Sequence, residues 1–411
     1  MTEPRDELRS TELLSTGRGR LTVAALVVLA LAVVVIAARR ADRQGVGTTP
    51  LGASPSASAS ASPSESPSPS AEPSPSPASP VPTPTPPPLT AATGSRLVVV
   101  QGTQLEVLDV DTGRISSLPR HPRAADYDRL DVVAVAGQLV LLGDNNTGAG
   151  SGPFPAYATT SGPGSRLRVV GQASYLIRSV HLDRVWLVAD VDNNNAAEAG
   201  STLTEVDVRG VVHKRAHFRH RFGVQPFADG FLVDASLTAA GDAGDQGTDL
   251  VDAHGRRLHH YDGHPRIVSG NTALLAANDV PCRRDCPLLV LTAGASISER
   301  TVEMDAVPGL TELGLSRDST RLFTSVMVEG TEKPPSRVTE LDLETGRAHQ
   351  LTDAWAETFF GASFVFSPDG RWMFFSDADA RHVNAYDLTM RRTFRVKGSF
   401  RTITQLEVLP R

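Results

Sequence analysis

Between residues 93 and 411 the chain alternates short apolar runs with polar turns built on Gly or on Asn and Asp. Runs of this length reversed at tight turns predict antiparallel strands rather than helices. The clearest copies of the unit are Leu108-Asp109-Val110-Asp111-Thr112-Gly113-Arg114 and Leu341-Asp342-Leu343-Glu344-Thr345-Gly346-Arg347. Weaker copies turn at Gly164, Gly210, Gly255 and Gly294, and around Thr389–Arg391. Successive turns lie roughly 40–50 residues apart, the length of one four-stranded propeller blade. Seven such turns predict seven antiparallel sheets.

The last full unit shows the strand order best. Its strands are expected at Ala362–Phe366, Arg371–Ser376, Val383–Leu388 and Thr393–Lys397, with Ser367-Pro368-Asp369-Gly370 as a type I turn. The same order fits Tyr175–Val180, Val185–Ala189, Leu203–Val208 and Val212–Phe218. Alternation within these strands is imperfect, as expected where both faces of a sheet are covered. The first unit has only three strands, Arg96–Gly102, Gln104–Val110 and Ile115–Leu118, while one strand, Thr402–Leu409, is left over at the end. That last strand can complete the first unit and close a ring. The expected fold is therefore all-β, a seven-bladed β-propeller. The hexapeptide Thr-Gln-Leu-Glu-Val-Leu occurs at both Thr103–Leu108 and Thr404–Leu409, and so falls twice in the closing blade.

Phe366-Ser367-Pro368-Asp369-Gly370-Arg371-Trp372-Met373-Phe374-Phe375 and Leu315-Ser316-Arg317-Asp318-Ser319-Thr320-Arg321-Leu322-Phe323 resemble the repeat of TolB-like and WD40-like propellers. The resemblance covers 93–411 by architecture and two or three blades by motif. It departs from true WD40 repeats in lacking the Trp-Asp dipeptide that closes their third strand. It implies the fold and a habit of binding proteins or peptides, and it carries over no catalytic residue.

The N-terminal quarter is of another kind. After a polar tail, 1–20, the run Leu21–Ala38 carries no charge. As a helix, its length of roughly 27 Å just spans a hydrocarbon core. Arg39 and Arg40 follow directly, which argues for an uncleaved anchor over a cleaved signal peptide, the competing reading. Residues 39–92 form a stalk dominated by Ser, Pro, Ala and Thr, with Ser-Pro and Thr-Pro steps such as Ser54-Pro55 and Thr83-Pro84. Such a segment cannot bury a core and leans to extended polyproline II. Stalks of this composition are typical of exterior, glycosylated segments. The expected protein is a single-pass membrane protein with the propeller, 93–411, outside the cell. A formal net charge of −6 argues against nucleic acid as the main ligand.

Long connections are expected at 143–155, 191–202, 235–248, 278–287 and 329–337, all on the face opposite the short turns, and specificity usually resides in such loops. One of them, Asp190-Val191-Asp192-Asn193-Asn194-Asn195-Ala196-Ala197-Glu198, spaces Asp190, Asp192, Asn194 and Glu198 as oxygen ligands for calcium. It resembles the calcium hairpins of integrin-type propellers, although Asn195 stands where Gly is expected and Glu198 replaces the final Asp. A solvated Asn/Asp turn is the competing reading. Cys282 and Cys286, four apart in a Pro-bounded loop, suit a disulfide in an exterior compartment, with reduced thiols or metal and redox chemistry as alternatives. A basic and aromatic set completes the candidates: His121, Arg123, His217, Arg219, His220, Arg221, His259, His260, His264, Arg266 and Trp355. Were they to converge on the channel mouth, they would suit an anionic or sugar ligand, or a metal held through the imidazoles.

No nucleophile elbow, zinc-protease helix, phosphate loop or dinucleotide fingerprint occurs in the chain. The expectation is a noncatalytic envelope scaffold that binds an envelope protein or a cell-wall component. The alternatives are an envelope hydrolase or lyase, and a receptor signalling through the tail 1–20.

Overall fold

The computed structural model describes residues 85–144, 153–160, 166–191, 200–219, 223–235, 247–276, 286–304, 313–327, 336–356 and 364–409. These belong to one compact unit, Ser79–Arg411. They form seven four-stranded antiparallel sheets; six of the predicted turns join the third strand of a sheet to the fourth, and that at Gly164 lies outside the described residues. The chain is a seven-bladed β-propeller. Strands A to D run from the central channel outwards. Blade 2 is Arg129–Val135, Gln138–Asp144, Phe154–Thr160 and Arg168–Ala173; blade 3 is Tyr175–Arg178, Arg184–Val191, Gly200–Asp207 and Val212–Arg219. Blade 4 is Gln225–Phe227, Gly230–Asp234, Thr248–Val251 and Arg257–Tyr261; blade 5 is His264–Ser269, Thr272–Ala276, Cys286–Ala293 and Ile297–Met304. Blade 6 is Leu313–Leu315, Arg321–Met327, Ser336–Asp342 and Ala348–Ala356; blade 7 is Val365–Phe366, Trp372–Ser376, Val383–Asp387 and Arg392–Arg395.

Among the described residues the buried apolar side chains fall into seven clusters, one for each pair of neighbouring blades. This explains the imperfect alternation of the strands. In Trp372–Ser376, Trp372 and Phe374 pack towards blade 1, while Met373 and Phe375 pack towards blade 6. Both parities are apolar because both faces are covered. A fully buried Phe or Leu at such a position contributes about 1.5–3 kcal/mol relative to exposure.

Blade 1 closes the ring as the leftover strand suggested. Its order is Gln405–Leu409, Arg96–Gln101, Gln104–Asp109 and Ile115–Ser117, so one strand is joined to three that lie roughly three hundred positions earlier in the chain. The two copies of the hexapeptide flank Arg96–Gln101 on either side. Their registers differ by one residue: Val99 lies opposite Glu106 on one side and opposite Leu406 on the other. A one-residue offset sends identical side chains to opposite faces. Glu407 therefore faces blade 2 with Val98 and Val107, whereas Glu106 shares the blade 7 face with Val99 and Leu406.

The chain enters the propeller along the outer edge of blade 7. The Leu89 N–H donates to the Arg395 carbonyl at 2.9 Å, and the Arg395 N–H donates to the Pro87 carbonyl at 2.8 Å. Leu89 is buried in the cluster between blades 7 and 1. The predicted tail, Leu21–Ala38 span and most of the stalk lie outside the described residues. Among the described residues no helix is long and apolar enough to cross a membrane.

Candidate functional site

The short turns are held by aspartates. In five blades an Asp at the end of strand C accepts N–H bonds from the residues that reverse the chain. Asp109 accepts from Thr112 at 2.9 Å, Asp207 from Arg209 and Val211 at 2.8 and 3.0 Å, and Asp252 from His254 and Arg256, both at 2.9 Å. Asp342 accepts from Glu344 and Thr345, both at 2.9 Å, and Asp387 from Thr389 and Met390 at 2.8 and 3.0 Å. At Gly346, with φ +73°, the turn of blade 6 lies against blade 5, where a Cβ would stand 2.1 Å from the Glu303 carbonyl oxygen. The A–B turns repeat the device. Ser316 and Ser367 donate to Asp318 and Asp369, and each serine accepts the N–H five residues on, from Arg321 and Trp372, at 2.9 Å.

On this short-turn face the channel opens into a cavity of about 530 Å³, within the range of roughly 300–1,000 Å³ usual for ligand pockets. Inner strands and A–B turns of blades 3, 5, 6 and 7 line it, with Val408 of blade 1. Its apolar wall includes Ile177, Ile267, Leu315, Phe364 and Phe366, and its polar groups include Ser269, Asn271 and Ser319. Among the described residues two cations, Arg178 and Arg317, line it and no carboxylate does. Leu182, 75% exposed, stands at its rim.

Each inner strand pairs with one neighbour only, so its other edge presents unpaired backbone groups to the channel. On one side of the channel, side chains cap these edges. Gln405 accepts the Val132 N–H at 3.1 Å and donates to the Val132 carbonyl at 2.8 Å; Glu407 accepts the Ala134 N–H at 2.7 Å. Asp131 in turn accepts the Leu176 N–H of blade 3 at 3.2 Å. Arg178 completes the series by pairing with Glu407. Burial pushes the Glu407 carboxyl up, against Arg178 and the Ala134 N–H, which favour its charged form. Burial likewise raises Asp131, against the Leu176 and Val132 N–H groups and Gln405.

Among the described residues the basic set is dispersed over several blades and strands and not gathered at the channel mouth. His217 and Arg219 lie on the outer strand of blade 3, His259 and His260 on that of blade 4, and Trp355 on that of blade 6. An outer strand is three strand spacings, about 14 Å, from an inner one. His121 and Arg123 sit in the connection from blade 1 to blade 2. His121, 2% exposed, is wedged edge-on between Tyr127 and Tyr157 and accepts the Arg123 N–H at 3.2 Å. Burial, assisted by Arg123, holds its pKa down, so it packs as a neutral ring. Arg123 pairs with Asp126 at 2.7 Å. His217 bonds Thr202 at 2.9 Å, and His259 packs on Tyr261. The fold does bring some of the set onto carboxylates: His260 bonds Asp249 at 2.8 Å, and His264 bonds Asp234 at 2.9 Å across the border of blades 4 and 5. Arg266 shares the inner strand of blade 5 with His264. His220 and Arg221 lie outside the described residues.

Of the calcium set only Asp190 is described; Asp192, Asn194 and Glu198 are not. Asp190 accepts from the Ser201 hydroxyl at 2.5 Å, and burial pushes its carboxyl up. Among the described residues no three His, Cys, Asp or Glu side chains are grouped to hold a metal. Cys286 opens strand C of blade 5 opposite Met304, and Cys282 and the proposed disulfide lie outside the described residues. The five long connections lie there for the most part too.

Sequence reasoning missed Arg178, Asp131, Gln405 and Glu407. Arg317 was within reach, since it sits in the Ser316–Arg321 motif that marks an A–B turn.

No family model matches the chain, and no curated protein matches it. Among solved structures it is similar to a periplasmic gluconolactonase from Pseudomonas aeruginosa, with 14% identity over 77% of this chain and 99% of that one and a TM-score of 0.47. It is also similar to a functionally unknown protein from Desulfotomaculum acetoxidans (12% identity, 76% and 98% coverage, TM-score 0.46). A third is apo AztD from Citrobacter koseri (12% identity, 74% and 83% coverage, TM-score 0.43). These likenesses extend to the fold alone and bring no activity to this chain.

Proposed function

We propose that this chain is a noncatalytic binding scaffold of the cell envelope, anchored by Leu21–Ala38 and presented on the Ser/Pro stalk. Fully extended as polyproline II, a stalk of this length reaches on the order of 100 Å. The observation that carries the binding reading is the channel cavity on the short-turn face. It is concave and sets an apolar wall beside convergent polar and cationic groups, a constitution suited to recognition. Its neighbouring ionisable groups, Asp131 and Glu407, are engaged in capping backbone N–H groups, a structural task. Partners of the expected kind are an envelope protein or a cell-wall component.

One observation favours the hydrolase alternative. His260 on Asp249 and His264 on Asp234 are imidazoles oriented by carboxylates, the arrangement of a general base. Both pairs lie by blades 4 and 5, towards the long-loop face.

The test is photocrosslinking on intact cells from a reactive residue at Leu182, with Leu258, an exposed residue on the outer strand of blade 4, as the reference. A binding scaffold yields a discrete adduct with an envelope component from Leu182 and none from Leu258. Equal labelling from both positions, or adducts with cytosolic proteins only, overturns the reading.

A further inference from the structure

The geometry points to the carboxy-terminal end of an extended peptide as the occupant of the channel mouth. This inference rests on the binding reading above and names its ligand class.

The first ground is charge. Among the described residues Arg178 and Arg317 line the cavity and no carboxylate does. Arg317 donates to the Pro368 carbonyl at 3.2 Å, a neutral partner, so its charge is uncompensated. Glu407 partly compensates Arg178 from behind the wall, yet the Arg178 side chain is 52% exposed and keeps further N–H donors for the channel. A concave site with low-dielectric walls focuses such a field onto an entering anion.

The second ground is the unequal treatment of the inner edges. Those of blades 2 and 3 are capped by Gln405, Glu407 and Asp131. Among the described residues no side chain caps the edges of His264–Ser269, Leu313–Leu315 or Val365–Phe366. These three strands contribute Ile267, Val268, Ser269, Gly314, Leu315, Val365 and Phe366 to the cavity wall. An extended peptide satisfies such edges with its own backbone groups and places small side chains against the apolar wall. An acyl chain with a carboxylate head would meet the charge and leave the backbone unsatisfied. A peptide end answers both.

The experiment is calorimetric titration of the full-length protein in detergent with three probes: N-acetyl-Val-Ala-Ala with a free carboxylate, the same peptide as its amide, and octanoate. The expected result is at least tenfold tighter binding of the carboxylate peptide than of the amide, with octanoate no better than the amide. Arg317→Gln should bring the ratio towards one. Arg178→Gln leaves Glu407 buried without its cation, so it is paired with Arg178→Gln/Glu407→Gln, which restores neutrality and should also lose the discrimination. Equal binding of peptide and amide, octanoate matching the peptide, or no binding of any probe overturns the inference. None of these results touches the Leu182 adduct, on which the scaffold reading stands or falls separately.

Discussion

Asp387 at a C–D turn and Glu407 in the channel wall are both buried, yet their pKa values move in opposite directions. At Asp387 burial works against ionisation, but the Arg371 guanidinium and the Met390 and Thr389 N–H groups outweigh it, and the pKa falls. Arg371 reaches it through two nitrogens, at 2.7 and 3.1 Å, and is itself 45% exposed. At Glu407 and Asp131 burial wins. Depth in the channel wall removes water, and the compensating donors are mostly neutral amides. Glu407 has Arg178 and Asp131 only the charge of Arg129, whereas the turn acids Asp207, Asp252 and Asp387 are each hydrogen-bonded by an arginine, Arg209, Arg256 and Arg371. The ionised form is thus the structural asset at the turns and a cost in the channel.

The sharpest break in this contrast is Asp387→Ala. It removes two N–H acceptors and a charge pair, and should cost about 3 kcal/mol in urea unfolding. Asp387→Asn keeps an acceptor for the turn and should recover roughly half of that loss. Next in size is the backbone geometry that the turns impose. Gly346→Ala sets a Cβ against the Glu303 carbonyl at a φ of +73° and should cost about 2–3 kcal/mol. Gly137→Ala, at +76° but with open space around the new Cβ, should cost about 1 kcal/mol. Equal losses at the two glycines would show that the blade contact contributes nothing.

The smallest effect at neutral pH is expected from Glu407→Gln, within about 1 kcal/mol of the parent, because the amide oxygen can still accept the Ala134 N–H. Its pH dependence carries more. The Glu407 pKa is raised on folding, so its favourable contribution is present below the unfolded carboxylate value and lost as pH rises through the folded one. The Asp387 pKa is lowered, so its contribution is present above the unfolded value and lost as pH falls through the folded one. Denaturant titrations from acid to neutral pH should therefore show the parent losing ground to Glu407→Gln and gaining on Asp387→Asn. Two gaps of the same sign would refute the contrast.

The turns were legible in the chain because their chemistry is local: an Asp and a positive-φ residue within a few positions suffice to reverse it. The seven blades and the closing strand followed from that spacing. The channel was not legible, because its chemistry depends on register. Glu106 and Glu407 occur in one and the same hexapeptide, and only a one-residue offset on either side of Arg96–Gln101 decides which faces blade 2. The histidine and arginine clusters misled for a related reason. Edge strands tolerate charge, so basic residues gather along outer strands, as in Val212–Arg219, where proximity in sequence runs along the rim and not towards the channel. Arg178 and Arg317 come together only through the ring.

The join in blade 1 also sets the order in which the protein can be completed. During synthesis Arg96–Gln101 emerges early, with the consecutive valines 98–100 that the finished ring buries. Its inner partner, Gln405–Leu409, is translated roughly three hundred residues later. At roughly 5–20 residues per second, that apolar edge waits on the order of 15–60 s for its mate. Until that strand emerges from the ribosome the sheet is open, and an open apolar edge is a template for pairing with another chain. A chain that stopped before Gln405 would make that wait permanent.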